Sequence, residues 1–159
     1  MTAKHIRLIE PSPEDLSFRR VLLMDEATMS YNHAYGGTIP FEKDQWQKWY
    51  EKWLRDPSQQ HFYRYVLDKD RNVCVGEAAY RYEAERGIWL IHVLIKADER
   101  NKGYGTQTLD LLCKQAKKQG ITALYDDIAL DNPSLALFLK AGFEEQYRTD
   151  AFVMVRKLL

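Results

Sequence analysis

A chain of 159 residues is the size of one domain, spanning 1–159, and is long enough to bury about 70% of its unfolded surface in a single core. Lysine plus arginine matches aspartate plus glutamate at 23 each, so no global field recruits nucleic acid or an acidic membrane, which argues against a basic-patch binding protein. Two cysteines, Cys74 in a strand-like run and Cys113 on the apolar face of a helix, are too few for a disulfide scaffold and stand at no zinc-binding spacing. Both read as buried reduced thiols. With no N-terminal apolar run of signal or membrane-span length, the chain is expected in the cytoplasm.

His5-Ile-Arg-Leu-Ile alternates polar and apolar residues and predicts a first strand. Ser12-Pro13-Glu14-Asp15 follows with an N-cap, a proline at the first helical position and an acid three residues on, a capping-box pattern that predicts a helix running to roughly Ser30. The segment from Tyr31 to Pro40 breaks it. In the next helix Trp46, Trp49, Tyr50, Trp53 and Leu54 fall on one stripe, and Pro57 stops it. A stripe of this bulk reads as core packed against a sheet, with the lining of a ligand pocket as the alternative.

Three strands follow: His61 to Leu67, Val73 to Tyr82, and a run beginning at Trp89 after a turn near Glu85-Arg86-Gly87. The third, Trp89-Leu-Ile-His-Val-Leu-Ile, passes through Lys96-Ala-Asp-Glu into Arg100-Asn101-Lys102-Gly103-Tyr104-Gly105-Thr106. That turn carries two glycines and two cations, and an amphipathic helix starts at once. Glycine lets the backbone approach a bulky anion, and unpaired amides at a helix N-terminus, with the positive end of its dipole, favour negative charge. Arg100 and Lys102 add point charges beside them. Leu109, Leu112, Cys113 and Ala116 fall at i, i+3, i+4 and i+7, and Gly120 closes the helix. Ile121 to Leu130 reads as another strand, which completes one βαβ unit. Asn132-Pro133 caps a last helix that Gly142 ends, and strands near Phe143 to Arg148 and Phe152 to Leu158 close the chain. The fold class is α/β, a mixed and mostly antiparallel sheet.

Arg100-x-x-Gly103-x-Gly105 resembles the pyrophosphate-binding signature of the GNAT acetyltransferase superfamily, and Asn132-Pro-Ser-Leu-Ala-Leu-Phe138-Leu-Lys140-Ala-Gly142-Phe143 is similar to its second marker. The two stand in the expected order and cover the chain from about Gly87 onward. The resemblance implies a twisted sheet with helices on both faces, splayed between two parallel strands so that acetyl-coenzyme A can enter. It implies acetyl transfer from the thioester to a primary amine of a small molecule or peptide by direct attack. The cofactor would be held by Arg100, Asn101, Lys102, Gly103, Tyr104, Gly105 and Thr106, by backbone amides of Val93, Leu94 and Ile95 near the thioester, and by Asn132 and Phe138. Read alone, Val93 to Ile95 are core strand residues and Asn132 is an N-cap. Homodimers are common on this fold, and no feature here decides for or against one.

Acetyl transfer needs a neutral amine, and a lysine-like amine of pKa near 10.4 is only about one part in 2,500 neutral at pH 7. It also needs donors for a developing oxyanion and a proton for the departing thiolate. Many members of the superfamily place a tyrosine acid four residues before the Gly-Phe, where this chain has Phe138, and a glutamate base where it has Trp89. Substitutes for the base are His92, since imidazole ordinarily titrates near neutrality, and the cluster of Tyr125, Asp126 and Asp127 at the end of the following strand. A packed histidine and a polar strand end are the plain alternatives, and Glu77 is a further one.

The acceptor pocket in this superfamily is shaped by the connection between the first two helices, here Tyr31-Asn32-His33-Ala34-Tyr35-Gly36-Gly37-Thr38. Its polar aromatics Tyr31, His33 and Tyr35 are the acceptor-binding candidates, and a capped surface loop is the alternative. Two functions from different classes remain: an acetyl-coenzyme A-dependent N-acetyltransferase, and a non-catalytic acyl-coenzyme A sensor suggested by Phe138 and Trp89.

Overall fold

The antiparallel meander sets the frame. Strands Ile6–Ile9 (β1), His61–Asp68 (β2), Val73–Glu83 (β3) and Ile88–Ile95 (β4) pair in succession in the computed structural model, which describes residues 5–159, the side chains of Ala34 and Tyr35 excepted. Strands Ala123–Ala129 (β5), Glu144–Arg148 (β6) and Phe152–Leu158 (β7) extend it to the order β1-β2-β3-β4-β5-β7-β6. Only β4 and β5 run parallel, and a single pairing, Leu90 with Tyr125, holds them together. Past it the two strands part, as the resemblance implies.

Strand alternation sorts the side chains onto two faces. Ala78 and Tyr80 of β3, Ile91 and Ile95 of β4, and Leu124 and Ile128 of β5 pack with Leu109, Leu112, Cys113 and Ala116 of helix Tyr104–Lys118 (α3) and Phe138 of helix Ser134–Lys140 (α4). Leu109 and Leu112 are wholly buried, each worth about 2–3 kcal/mol. On the other face Tyr63, Tyr65, Ala79 and Leu94 meet helices Leu16–Met24 (α1) and Lys43–Leu54 (α2). Helices therefore cover both faces.

The first helix is shorter than its capping box suggests. Ser12 and Asp15 form the box, but around a 3-10 turn at Pro13–Asp15, and α1 ends at Met24 rather than near Ser30. The Asp25 carboxylate accepts the backbone N–H of Thr28 at 3.3 Å and the Thr28 hydroxyl, which starts a 3-10 run, Thr28–Tyr35, in place of continued α-helix. Such local side-chain bonds compete with helix propagation, and periodicity does not register them. Cys113 is buried as expected, whereas Cys74 is half-buried; both are free thiols. No helix among the described residues is long and apolar enough to cross a membrane.

Candidate active site

Downstream of β4 the chain makes a 3-10 turn at Ala97–Glu99, and α3 starts at Tyr104. Asn101 and Gly103 take left-handed backbone with φ of 62° and 91°. Among the described residues, the amides of Asn101, Lys102, Gly103, Gly105 and Thr106 donate to no protein acceptor, and the first intraprotein bond of the helix is Gln107 N–H to Gly103 O. Unpaired amides at the head of a 15-residue helix fit a diphosphate. Gly105 has a second reason to be glycine: a Cβ there would lie 2.9 Å from Leu137 Cδ2, so the Leu137 side chain of α4 would have to shift.

The loop is tied to the β2–β3 turn. Tyr104 donates its hydroxyl proton to Asp68, a buried carboxylate that also accepts Arg71 Nε at 3.3 Å, while Arg71 Nη2 donates to Tyr104 Oη at 2.8 Å. The Tyr104 hydroxyl foremost, then the Arg71 donors, hold Asp68 down at about 2 against its burial. Arg71 also pairs with Glu99, and Lys102 Nζ stands 3.7 Å from the same carboxylate. Arg100 turns to the protein's own backbone. Its Nε donates to Ile95 O at 3.0 Å and its Nη2 to Thr28 O at 2.8 Å, leaving Nη1 without a hydrogen bond among the described residues. Thr28 completes the clamp by accepting Ala97 N–H at 2.9 Å.

Where β4 and β5 separate there is a cavity of about 300 Å³, walled by Arg19 of α1, Trp49 and Trp53 of α2, Tyr63, Glu77, Arg81, His92, Asp126 and Asp127, among others. Glu77, only 2% exposed, is its hub. Its carboxylate accepts His92 Nε2 at 2.9 Å and the Tyr63 hydroxyl, and lies 3.3 Å from Arg19 Nε. Burial alone would raise the Glu77 carboxyl, but Arg19, His92 and Tyr63 together outweigh it and hold it at about 2. An ionised Glu77 requires the proton on His92 Nε2, which leaves Nδ1 as the nitrogen with a lone pair. Arg19 is stacked on Phe41 and Trp49, 4.5 and 4.3 Å from the ring centroids.

The opposite wall differs. Asp126 has no side-chain partner among the described residues, and its burial, with the neighbouring Asp127 charge, pushes its carboxyl well above the ordinary range. Asp127 faces Arg86 Nη2 at 3.4 Å.

A profile of the acetyltransferase (GNAT) family matches residues 22–143. The chain belongs to that family. The match starts inside α1, so it takes in α2 and the meander as well as the C-terminal markers. This GNAT chain is similar in fold to spermidine N-acetyltransferase from Vibrio cholerae in complex with CoA and spermine, at 18% identity over 97% of this chain and 94% of that one, TM-score 0.74. It is similar also to the PaiA N-acetyltransferase from Thermoplasma acidophilum in complex with coenzyme A, at 15% over 98% and 99%, TM-score 0.71. An N-acetyltransferase from Staphylococcus aureus aligns at 20% over 99% of both chains, TM-score 0.72. No curated protein matches the sequence significantly.

Of the residues singled out from the GNAT sequence, the structure brings His92, Asp126 and Asp127 to one cavity with Glu77. Tyr125 stands at the β4–β5 pairing and does not line it. Trp89 packs on Tyr80 and Tyr82, and Phe138 is buried edge-on to Phe143 with centroids 5.0 Å apart. Asn132 caps α4, its Oδ1 accepting Ser134 N–H at 2.9 Å, while its Nδ2 has no partner among the described residues. Val93, Leu94 and Ile95 pair with β3 on one side, and past Leu90 no ladder continues toward β5, so the backbone groups on that edge are open to a ligand.

Tyr31 packs beside Leu94 and does not line the cavity; its burial and the charges of Glu77 and Asp126 push its hydroxyl up to about 12. His33 is exposed and pairs with Asp131 at 3.1 Å, and the Tyr35 side chain lies outside the described residues. Tyr63 and Arg19 were not read as cavity residues, and Trp49 and Trp53 only as the alternative to core packing. The aromatic stripe of α2 was visible, but both of its readings hold: Trp49 stacks on Trp53 and meets Tyr63 edge-on while also walling the cavity.

Proposed function

We propose that this protein transfers the acetyl group of acetyl-coenzyme A to a primary amine of a small molecule in the cytoplasm, with His92 as general base. The observation that carries the reading is the His92–Glu77 pair, 2.9 Å apart in the cavity where β4 and β5 separate. A volume of about 300 Å³ suits a small acceptor better than a peptide. The spermidine N-acetyltransferase similar in fold was solved in complex with CoA and spermine, a small-molecule amine.

The loop 100–106, the open edge of Val93–Ile95 and Asn132 Nδ2 form the set of groups that would hold the cofactor, with Phe138 as an apolar wall. When bound, acetyl-coenzyme A supplies a thioester whose C–S bond breaks as the C–N bond to the amine forms. His92 Nδ1 takes the proton that the amine must lose. Glu77, bonded to Nε2, is a positioning residue that fixes the tautomer and stabilises the imidazolium. Asp126 lines the same cavity, its carboxyl pushed toward the protonated form by burial and the Asp127 charge, and is the candidate to give a proton to the departing sulfur, the role that Phe138 cannot fill. The proton ledger closes with one taken at His92 and one given at Asp126.

The test is thiol release from acetyl-coenzyme A over a panel of primary amines, for the wild type and for His92→Ala. Turnover that falls by about 10²–10⁴ in the variant supports the base. Tight coenzyme A binding with no turnover on any amine would overturn the reading and leave a binding protein.

A further inference from the structure

The cavity's charges are unevenly satisfied. Glu77 is neutralised by Arg19 and by the His92 N–H. Asp127 faces Arg86, and Arg86 also binds Glu83 through two bonds of 2.7 Å. Burial and the neighbouring Asp127 charge push the Asp126 carboxyl toward its uncharged form. One charged group in the wall is left over. Arg81 makes no hydrogen bond or ion pair with any described residue, and the carboxylate that feels its charge, Glu83, is already engaged bidentately by Arg86.

Register places this guanidinium relative to the base. Ala79 pairs with His92, and Arg81 lies two residues further along β3, on the same face. Diagonal neighbours of this kind stand about 7–8 Å apart, a distance one small molecule spans. Trp49 and Trp53 border the space beside them with apolar surface.

We propose that the acceptor is a primary amine whose own molecule carries an anion, a carboxylate or a phosphate, and that Arg81 receives that anion while the amine faces His92. The proposal deepens the acetyl-transfer reading and rests on His92 as the base. A linear polycation would meet Glu77 and Asp127 already paired with Arg19 and Arg86, and would face the positive charge of Arg81. An anion on Arg81 gains a charge-assisted, potentially bidentate hydrogen bond.

Paired acceptors test it: tyrosine against tyramine for a carboxylate, phosphoethanolamine against ethanolamine for a phosphate, and spermidine as the polycation. The expected result is a kcat/KM about tenfold or more higher for the anionic member of one pair, expressed in KM, with spermidine the poorest acceptor. The pair that shows the gap identifies the anion. Arg81→Gln should close the gap by losing the anionic acceptor, and Arg81→Lys should restore part of it. Equal kcat/KM within both pairs, a gap that survives Arg81→Gln, or a preference for spermidine would overturn the proposal. If no amine is turned over, the transferase reading fails separately, and calorimetry still decides: N-acetyltyrosine or N-acetylphosphoethanolamine should bind the wild type and not Arg81→Gln. Equal binding of the uncharged N-acetyltyramine and N-acetylethanolamine would refute it.

Discussion

The proposed cofactor cradle and the proposed acceptor cavity lie at different heights along β4 and are built by different rules. The cradle is one contiguous run, residues 100–106, whose working groups are backbone amides at the head of α3. The cavity gathers side chains from α1, α2, β2, β3, β4 and β5, centred on the buried carboxylate of Glu77. A backbone site tolerates changes of side chain that keep its geometry. A side-chain site is re-specified by single substitutions, so one can be broken while the other is left standing.

The largest separation is expected from His92→Ala, which should cost turnover about 10²–10⁴ while coenzyme A binding by calorimetry holds within about twofold. A parallel loss of cofactor affinity would mean that the two regions are coupled. Next comes Gly103→Val, which forces a β-branched residue into φ of 91°. Left-handed backbone costs an ordinary residue roughly 1–2 kcal/mol, so coenzyme A affinity should fall about 5–30-fold with the ranking of acceptors unchanged.

Arg100→Ala should act through stability as well as affinity. It strips the donors from Ile95 O and Thr28 O, and denaturant unfolding should show a loss of about 1–3 kcal/mol. Unchanged stability with weakened cofactor binding would return Arg100 to the role of a simple phosphate contact.

The two carboxyls of the cavity predict opposite limbs of a stability–pH curve. Folded Glu77 stays ionised down to about 2, whereas unfolded it takes up a proton near its ordinary 4.5. Its contribution is thus complete above about 4.5 and lost as pH falls toward 2, a limb that Glu77→Gln should lack. Asp126 is raised instead, so its contribution is complete below its ordinary 3.8 and declines as pH climbs above that value. Asp126→Asn should therefore be more heat-stable than the wild type at neutral pH, the smallest of these effects. A lower melting temperature there would show that Asp126 is charged and held by a partner.

Much of this was readable before folding. Strand alternation, the heptad-like face of α3 and the Gly-x-Gly turn are local patterns, and each element predicted from them is present in the sheet order and helices observed. The 3-10 run after α1 was missed because a single carboxylate, Asp25, redirects the backbone at Thr28. Glu77 was ranked behind His92 because an acid within a strand carries no periodic signal. Its importance arises when Arg19, Tyr63 and His92 converge on it from three other elements.

By itself the sequence determined the family, the mixed sheet and the place of the glycine-rich turn at the head of α3, because backbone propensity and a contiguous turn motif depend on neighbours in the chain. Only the tertiary structure decided which side chains share the cavity, that Arg100 faces carbonyls of its own chain, and that Arg81 has no ion-pair partner among the described residues. Those facts depend on which charges come within a few ångströms of one another across strands and helices, and that proximity exists only once the sheet has assembled.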